Sequence, residues 1–262
     1  MAKACQLFSG SSGNSIYISS RQTKFLVDAG VSAKRICTAL SNIGEAGENI
    51  TAIFITHEHS DHINGVRVLA SKYSIPVFAH KAVIESMLAS GAINDKVNIN
   101  EISDNMEIGG IEVVPFELSH DSAACVGYRF NTPDSRSISV CTDTGFVTDA
   151  AKKTITSSDM VFLESNHETS MLMNGGYPYY LKKRISSDCG HLSNTACSEF
   201  AVDLLKNGTT RLVLSHLSRE NNHPDIARQT TVSALSQADF AENRDYRLKV
   251  SAPENCERPI VL

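Results

Sequence analysis

Four side chains able to bind cations or move protons fall within six positions: His57, His59, Asp61 and His62, in the stretch ITHEHSDHINGV behind an apolar run. Two histidines spaced two apart at the end of an extended segment can chelate one cation, while the Asp and the last histidine turn toward a second. Neutral imidazole and carboxylate suit Zn, Mn, Fe or Co, and the absence of a thiolate removes the usual argument for a structural zinc site. A single histidine at a strand end is more often hydrogen-bonded or solvated than metal-bound; the spacing H-x-H-x-D-H favours the metal reading. Two cations about 3.5 to 4 Å apart can share a hydroxide and stabilise the attacking and leaving oxygens of a displacement. Such a pair calls for a bridging carboxylate, and Asp143 in CTDTG is the candidate.

The elements that would position these groups are short, apolar and β-rich. KFLV stops at Asp28, AIFIT at His57, PFELS at His120, SISVCT at Asp143, MVFL at Glu164 and RLVLS at His216. Each of these segments delivers a ligating or proton-transferring residue at its C-terminal end, where a sheet gathers distant positions and loops leave room for substrate. SIYIS, PVFAH, CVGYRF and YRLKV read as further strands. Helical patterns cover residues 32 to 42, 62 to 71, 81 to 90, 194 to 206 and 224 to 237, the last opening on Pro224 and Asp225. Strands in runs with helices interspersed predict sheets covered by helices, not a regular βαβ alternation. GSSGNS lies between CQLF and SIYIS, which predicts a turn joining two strands; its amides could equally offer a nest to a phosphate.

The chain has 262 residues, 42% hydrophobic and 20% charged, without repeat, long linker or low-complexity tract, which predicts one domain over 1–262. The start MAKACQLFSGSSGNS lacks the pattern of a signal peptide and no run of 18 apolar residues exists, so the expectation is a cytoplasmic protein with no membrane association. Seven cysteines, at positions 5, 37, 125, 141, 189, 197 and 256, are scattered and never spaced C-x-x-C. That argues against both a zinc ribbon and a disulfide framework, and for free thiols. A net charge of −5 gives no global attraction to nucleic acid. A polyanion would be held by bound cations or by local basic residues, with Lys182, Lys183, Arg184 and Arg219 as candidates.

THEHSDH, with LVDAG upstream and ELSH, CTDTG and LSHLS downstream, resembles the metallo-β-lactamase fold superfamily from residue 9 to about 228. FSGSSGNSIYI, LSHDSAACVGYRF, LESNHE, GHLSN and LSHLSRENN further resemble its WalJ/YycJ (VicX) group of bacterial exonuclease-like hydrolases. The resemblance implies an α/β (α+β) fold, a four-layer αββα sandwich with a dinuclear site in the cleft at one edge of the two sheets. It implies that His57, His59 and His120 hold one divalent metal, that Asp61, His62 and His216 hold the other, and that Asp143 bridges both. The cofactors would be two ions of Zn, Mn or Fe, and Asp61 counts among the catalytic groups as well as the ligands. Asp28 matches the superfamily's first motif, where the carboxylate supports the site by accepting hydrogen bonds from the ligand loop.

His191 in CGHLSN resembles the histidine that protonates the leaving oxygen in related tRNA-processing nucleases, with Glu164 as the glutamate behind it. Phosphodiester cleavage expels an alkoxide, so an imidazolium oriented by a carboxylate assists departure. The competing reading has His191 capping the helix that starts near Ser193. His167 could reach a substrate phosphate or be a polar loop residue, and His80 and His223 are assigned to structure or solvent.

The implied activity is that of a dinuclear metal-dependent phosphodiesterase, a DNA exonuclease acting 5′ to 3′ on double-stranded DNA with a metal-bridging hydroxide as nucleophile. DNA is the implied partner, and a homodimer is open. A second reading changes the substrate to a small phosphodiester, a thioester or a lactam. Asp143, where a lactamase would carry a cysteine, and the missing export signal count against the lactam. A glyoxalase II type thioesterase would need a further helical domain, and only about 45 residues follow LSHLS. A third reading, a non-catalytic regulator of a signalling pathway, is opposed by the intact ligand set. No gap between motifs could hold the inserted domain of the β-CASP nucleases, which leaves substrate contacts to short loops or a second subunit.

Overall fold

Most of the apolar runs form strands covered on both faces. In the computed structural model, which describes residues 1–255 and 257–262, two seven-stranded sheets stack face to face. The first holds β1 (Ala2–Phe8), β2 (Ser15–Ser20), β3 (Thr23–Val27), β4 (Ala52–Phe54), β5 (Val77–Ala79) and β6 (Ile99–Glu101). The second holds β7 (Met106–Ile108), β8 (Ile111–Glu117), β9 (Val126–Asn131), β10 (Ser137–Cys141), β11 (Met160–Glu164), β12 (Arg211–Ser215) and β13 (Arg247–Val250). The last strand, β14 (Ile260–Val261), returns to pair with β1. The helices are α1 (Ala33–Asn42), α2 (Ser60–Ile63), α3 (Val66–Tyr73), α4 (Lys81–Ala89), α5 (Asp149–Ile155), α6 (Thr169–Asn174), α7 (Tyr179–Ile185), α8 (Asn194–Lys206) and α9 (Pro224–Gln237).

Neighbouring residues within a strand serve different layers. Ile18, Phe25, Val27 and Phe54 of the first sheet meet Tyr128, Phe130, Phe162 and Val213 of the second in the central core. Tyr17, Leu26 and Ile53 face the other way, onto Ile36, Leu40 and Leu69 of α1 and α3. Val161, Leu163, Leu212 and Leu214 face outward onto Ala151, Phe200, Leu204 and Leu235 of α5, α8 and α9. This division produces four layers, αββα, and explains why the sequence shows continuous apolar runs instead of alternation. Phe54 anchors the centre, its ring 5.1 Å from Phe25 edge-on and 5.5 Å from both Tyr128 and Phe130.

Strand direction positions the site. β3, β4, β5 and β6 run parallel, as do β10, β11, β12 and β13, and β8 shares the latter sense through the antiparallel β9. The C-terminal ends of β3, β4, β8, β10, β11 and β12 converge on one cleft, the place where sheets of parallel strands bind ligands.

The structure corrects several sequence boundaries. The helix expected over 62 to 71 is two helices, α2 and α3, parted at Asn64 and Gly65. Gly65 N–H donates to Ala29 O at 2.8 Å, and a Cβ there would lie 2.2 Å from Val31 O, so the close crossing of two chain segments breaks the helix. GSSGNS joins β1 to β2, and three of its amides are engaged internally: Gly10 N on Asn14 Oδ1, Gly13 N on Gly10 O and Asn14 N on Asp61 O. Those amides are thus closed to a phosphate. The six described cysteines are unpaired, and Cys256 lies outside the described residues. No described helix is long and apolar enough to cross a membrane.

Candidate metal centre and proton-transfer pair

Asp28 and His216 directly follow β3 and β12, Asp143 stands two residues beyond β10, His57 and His120 three beyond β4 and β8, and Glu164 closes β11. Asp28, Asp143 and His216 all adopt left-handed backbone, with φ of 62°, 63° and 56°. That conformation costs a residue with a Cβ on the order of 1 kcal/mol and turns the chain sharply out of the strand, which aims these side chains into the cleft. The turns are held by neighbours: Asp28 N donates to Phe54 O at 2.8 Å, and His216 N to Ser9 Oγ at 2.8 Å.

Four groups of potential donor atoms result, the atoms of each lying within 4.8 Å of one another: His57, His59 and His120; Asp61, His62 and His216; His57, His62 and Asp143; and Asp143, Glu164, His191 and His216. Asp143, grouped with His57, His62 and His216, stands between the His57, His59 and His120 set and the Asp61, His62 and His216 set. His57 Nε2 and His59 Nδ1 are 3.0 Å apart, and His62 Nε2 is 3.5 Å from both Asp61 Oδ2 and Asp143 Oδ2. His216 Nε2 lies 3.8 Å from Asp61 Oδ2. Ligand atoms on one tetrahedral zinc stand about 3.3 to 3.5 Å apart when the metal bonds are about 2.0 to 2.1 Å. The separations of 3.5 and 3.8 Å exceed good hydrogen bonds and suit donors that share a cation.

The opposite ring nitrogens are tied back into the protein. His57 Nδ1 donates to Thr56 Oγ1 (3.0 Å), His62 Nδ1 to Asp28 Oδ2 (2.7 Å), His120 Nδ1 to Gly190 O (3.0 Å) and His216 Nδ1 to Glu164 Oε1 (3.0 Å). Asp28 also accepts from Thr56 N and Thr56 Oγ1, both at 2.8 Å. Such outer bonds fix ring orientation and leave Nε2 of these four histidines for a cation.

Two buried atoms decide that the residues fit a metal: Asp143 Oδ2 and His216 Nε2 have no hydrogen-bond partner. Orphaned polar atoms in a fully enclosed place are costly unless something else satisfies them. Charge tells the same story. Burial alone would raise the Asp143 carboxyl, yet His216 and His62 hold it well below the usual carboxylate range. Burial would likewise lower His62 and His216, but Asp143 with Asp28, and Asp143 with Asp61, hold them above the ordinary imidazole range. Burial pushes His57 and His120 down. The carboxylates thus demand positive charge, which divalent cations supply while releasing the imidazole protons.

Beside these donors, His191 Nδ1 donates to Glu164 Oε1 at 2.7 Å, the oxygen that also accepts from His216. Glu164 Oε2 accepts from Thr144 N at 2.7 Å and Leu192 N at 3.3 Å, so the buried carboxylate is locked on both sides. His191 faces His120 and His216, with ring centroids 4.9 and 5.1 Å away. The cap of α8 is Ser193, not His191. His167 is buried, with Nδ1 unpartnered and its titration pushed down by burial. His80 and His223 cap α4 and α9.

Residues 23–217 match the β-lactamase superfamily domain, a span that contains every strand-end residue from Asp28 to His216. The chain belongs to the β-lactamase superfamily. It is 40% identical over 252 residues to exodeoxyribonuclease WalJ of Streptococcus pneumoniae serotype 2, covering 95% of this chain and 93% of that protein. To exodeoxyribonuclease YycJ of Bacillus anthracis it is 37% identical over 251 residues, covering 95% and 94%. The metallo-β-lactamase fold protein YhfI of Bacillus subtilis superposes with a TM-score of 0.71 at 16% identity, covering 97% and 98%. Like other metal-dependent hydrolases of this superfamily, the protein binds divalent metal through clustered His and Asp donors.

Around this β-lactamase-superfamily centre the structure adds groups that sequence reasoning passed over. Asn14 Nδ2 donates to Asp61 Oδ2 at 3.2 Å and lies 3.0 Å from His62 Nε2. Thr56 joins Asp28, His57 and His62. Its place directly before His57 was a usable signal, whereas Asn14 gave none beyond a turn. Glu58 accepts from Ala123 N at 2.7 Å and so ties the ligand loop to the loop carrying His120. Of the basic candidates, Arg184 pairs with Asp121, Arg219 donates to Ser12 Oγ at 2.8 Å, and Lys182 to Met173 O at 2.8 Å.

Proposed function

We infer that this protein is a two-metal phosphodiesterase that degrades DNA from its ends, as a 5′ to 3′ exonuclease on duplex DNA. The observation that carries the reading is the Glu164–His191 pair, set against the donor clusters in a chain that shares 37 to 40% identity over 95% of its length with named exodeoxyribonucleases. His57, His59 and His120 would hold one cation, Asp61, His62 and His216 the other, and Asp143 would contact both. Two such cations, when bound, would polarise a phosphoryl group and supply a nucleophile at neutral pH. Zn, Mn and Fe all suit imidazole and carboxylate.

The chain's own residues supply the remaining chemistry. Glu164 accepts a hydrogen bond from His191 Nδ1, which leaves Nε2 as the nitrogen from which the imidazolium form gives up its second proton. That nitrogen delivers it to the departing sugar oxygen, so the leaving group is expelled as an alcohol. Glu164 also fixes the orientation of the His191 ring. Its shared bond to His216 keeps proton donor and ligand in fixed register.

The test uses end-labelled linear duplex DNA and protein whose metal content is measured. Degradation is expected to stop on chelation, to return with one of Zn, Mn or Fe, and to be abolished by Asp143→Asn. His191→Ala should keep its metal and lose on the order of 10²-fold or more in rate. Loss of metal from that variant would make His191 a ligand and overturn its role as proton donor. Hydrolysis of small phosphodiesters with no attack on DNA under any metal would overturn the nuclease reading.

A further inference from the structure

Between Glu164 and His191 the chain leaves the cleft, forms α6 and α7, and returns. Both ends of this excursion are fastened to the site. Where it departs, Glu168 N donates to Asn221 O at 2.8 Å, and His167 O accepts from Asn194 N at 2.9 Å. Where it returns, His191 N donates to Ile185 O at 2.9 Å, Gly190 O accepts from His120, and Arg184 pairs with Asp121, the neighbour of His120. α7 is therefore continuous with the rim of the metal centre.

Its sequence gathers cations and tyrosines. Residues 169–187, TSMLMNGGYPYYLKKRISS, contain no acid and three cations, in a protein of net charge −5. Three of the seven tyrosines fall within four positions, at 177, 179 and 180. Tyr179 and Tyr180 are 71% and 74% exposed, whereas Tyr17, Tyr128 and Tyr246 are at 2% or less. Among the described residues neither ring stacks on another aromatic ring or makes a hydrogen bond through its hydroxyl. Lys183 Nζ lies 5.2 Å over the Tyr179 ring, and among the described residues neither Lys182 nor Lys183 meets a carboxylate within ion-pair reach. Exposed aromatic rings interleaved with unpaired cations form the surface that single-stranded nucleic acid selects: π-faces for bases, ammonium groups for phosphates.

We propose that α7 is a stacking platform for the DNA strand whose end lies in the metal centre, with Tyr179 and Tyr180 against bases and Lys182 and Lys183 against phosphates. This rests on the nuclease reading above and extends it. Tyr179 stands six residues from Ile185, about 9 Å along a helix at about 1.5 Å per residue. That matches two to three nucleotides at about 3.4 Å each, so the platform engages bases a few positions from the scissile phosphate. A stacked base is a frayed base; the surface therefore favours a separated end over closed duplex.

The experiment measures binding of the metal-loaded protein to duplex DNA with a short single-stranded end and cleavage-resistant phosphorothioate linkages. The chain has no tryptophan, so its emission reports tyrosine, and stacking should quench part of it on DNA addition. Tyr179→Ala with Tyr180→Ala should raise Kd about tenfold or more and remove that quench. Replacing both by Phe should restore the affinity. Lys182→Ala with Lys183→Ala should flatten the dependence of log K on log salt by roughly 0.7 to 0.9 for each phosphate that is no longer neutralised. Unchanged Kd in the alanine pair, while wild type still degrades DNA, overturns the platform alone. Conversion of a wild-type dimer to monomer by the same pair would make the surface a subunit interface and also overturn it. Wild type that neither binds nor degrades DNA removes the nuclease reading beneath it.

Discussion

Asn14 touches the ligand loop at two points, and its own orientation is fixed by the turn that holds it. Its Oδ1 accepts from Gly10 N at 2.9 Å, which leaves Nδ2 to donate toward Asp61 Oδ2 at 3.2 Å, close to His62 Nε2. Outer bonds of this kind are worth about 10- to 100-fold in metal affinity when removed. Asn14→Ala is therefore expected to weaken metal binding by that factor in a chelator competition, with little change in far-UV circular dichroism; undiminished affinity would show that Asp61 is held without it. At this scale the sequence was legible where type and spacing coincide, as in His57, His59, Asp61 and His62. It was illegible for Asn14, which lies 47 positions from Asp61 and reads locally as a turn residue. The shared bond from Glu164 to both His191 and His216 was equally hidden, since one-dimensional spacing cannot show which two partners one carboxylate oxygen will serve.

The loop after β3 interlocks three segments of chain. Ala29 N donates to His62 O, Gly30 N to Asn14 O and Asn14 N to Asp61 O, each at 2.8 Å. A Cβ on Gly30 would lie 1.6 Å from Asp61 O and 2.6 Å from Asn14 N, both backbone atoms that cannot swing aside. Gly30→Ala must push the ligand loop away from β3. We expect a loss of about 1 to 3 kcal/mol in denaturant unfolding together with a large loss of metal affinity, while the central core keeps its strands. Full metal affinity in a destabilised variant would mean that the loop moves as a rigid unit. Elements that bury a face were readable: α8 and α9 occupy the expected spans, and the strands stop close to where their apolar runs stop. The short pieces were not. β6, β7 and β14 have three, three and two residues and exist through pairing at sheet edges. α7, with sequence YYLKKRI, has no apolar stripe to announce it, and buries only Ile185.

Over the whole molecule, the donors are divided between the two sheets. Asp28, His57, His59, Asp61 and His62 follow strands of the first, and His120, Asp143, Glu164 and His216 end or follow strands of the second. Cations held by both sets would tie the sheets together along one edge, outside the hydrophobic central core. Without them the protein must keep Asp143 charged and buried against imidazoles that carry protons, with Asp143 Oδ2 and His216 Nε2 unpartnered. Metal that binds only the folded chain adds stability by mass action, about 2.7 kcal/mol when the free ion is about 100 times its Kd. For a domain of this size that corresponds to a rise of about 5 to 10 °C in Tm over chelator-treated protein, at about 2 to 4 °C per kcal/mol. Scanning calorimetry with and without chelator measures it, and the metal-free protein should still unfold cooperatively because Phe25, Phe54, Phe130 and Phe162 stay packed. Asp143→Asn should lose most of the increment, since it weakens the one carboxylate that stands between the two donor groups. An increment of full size in that variant would place the stabilising ion away from Asp143, and the division of ligands into two groups around it would have to be redrawn.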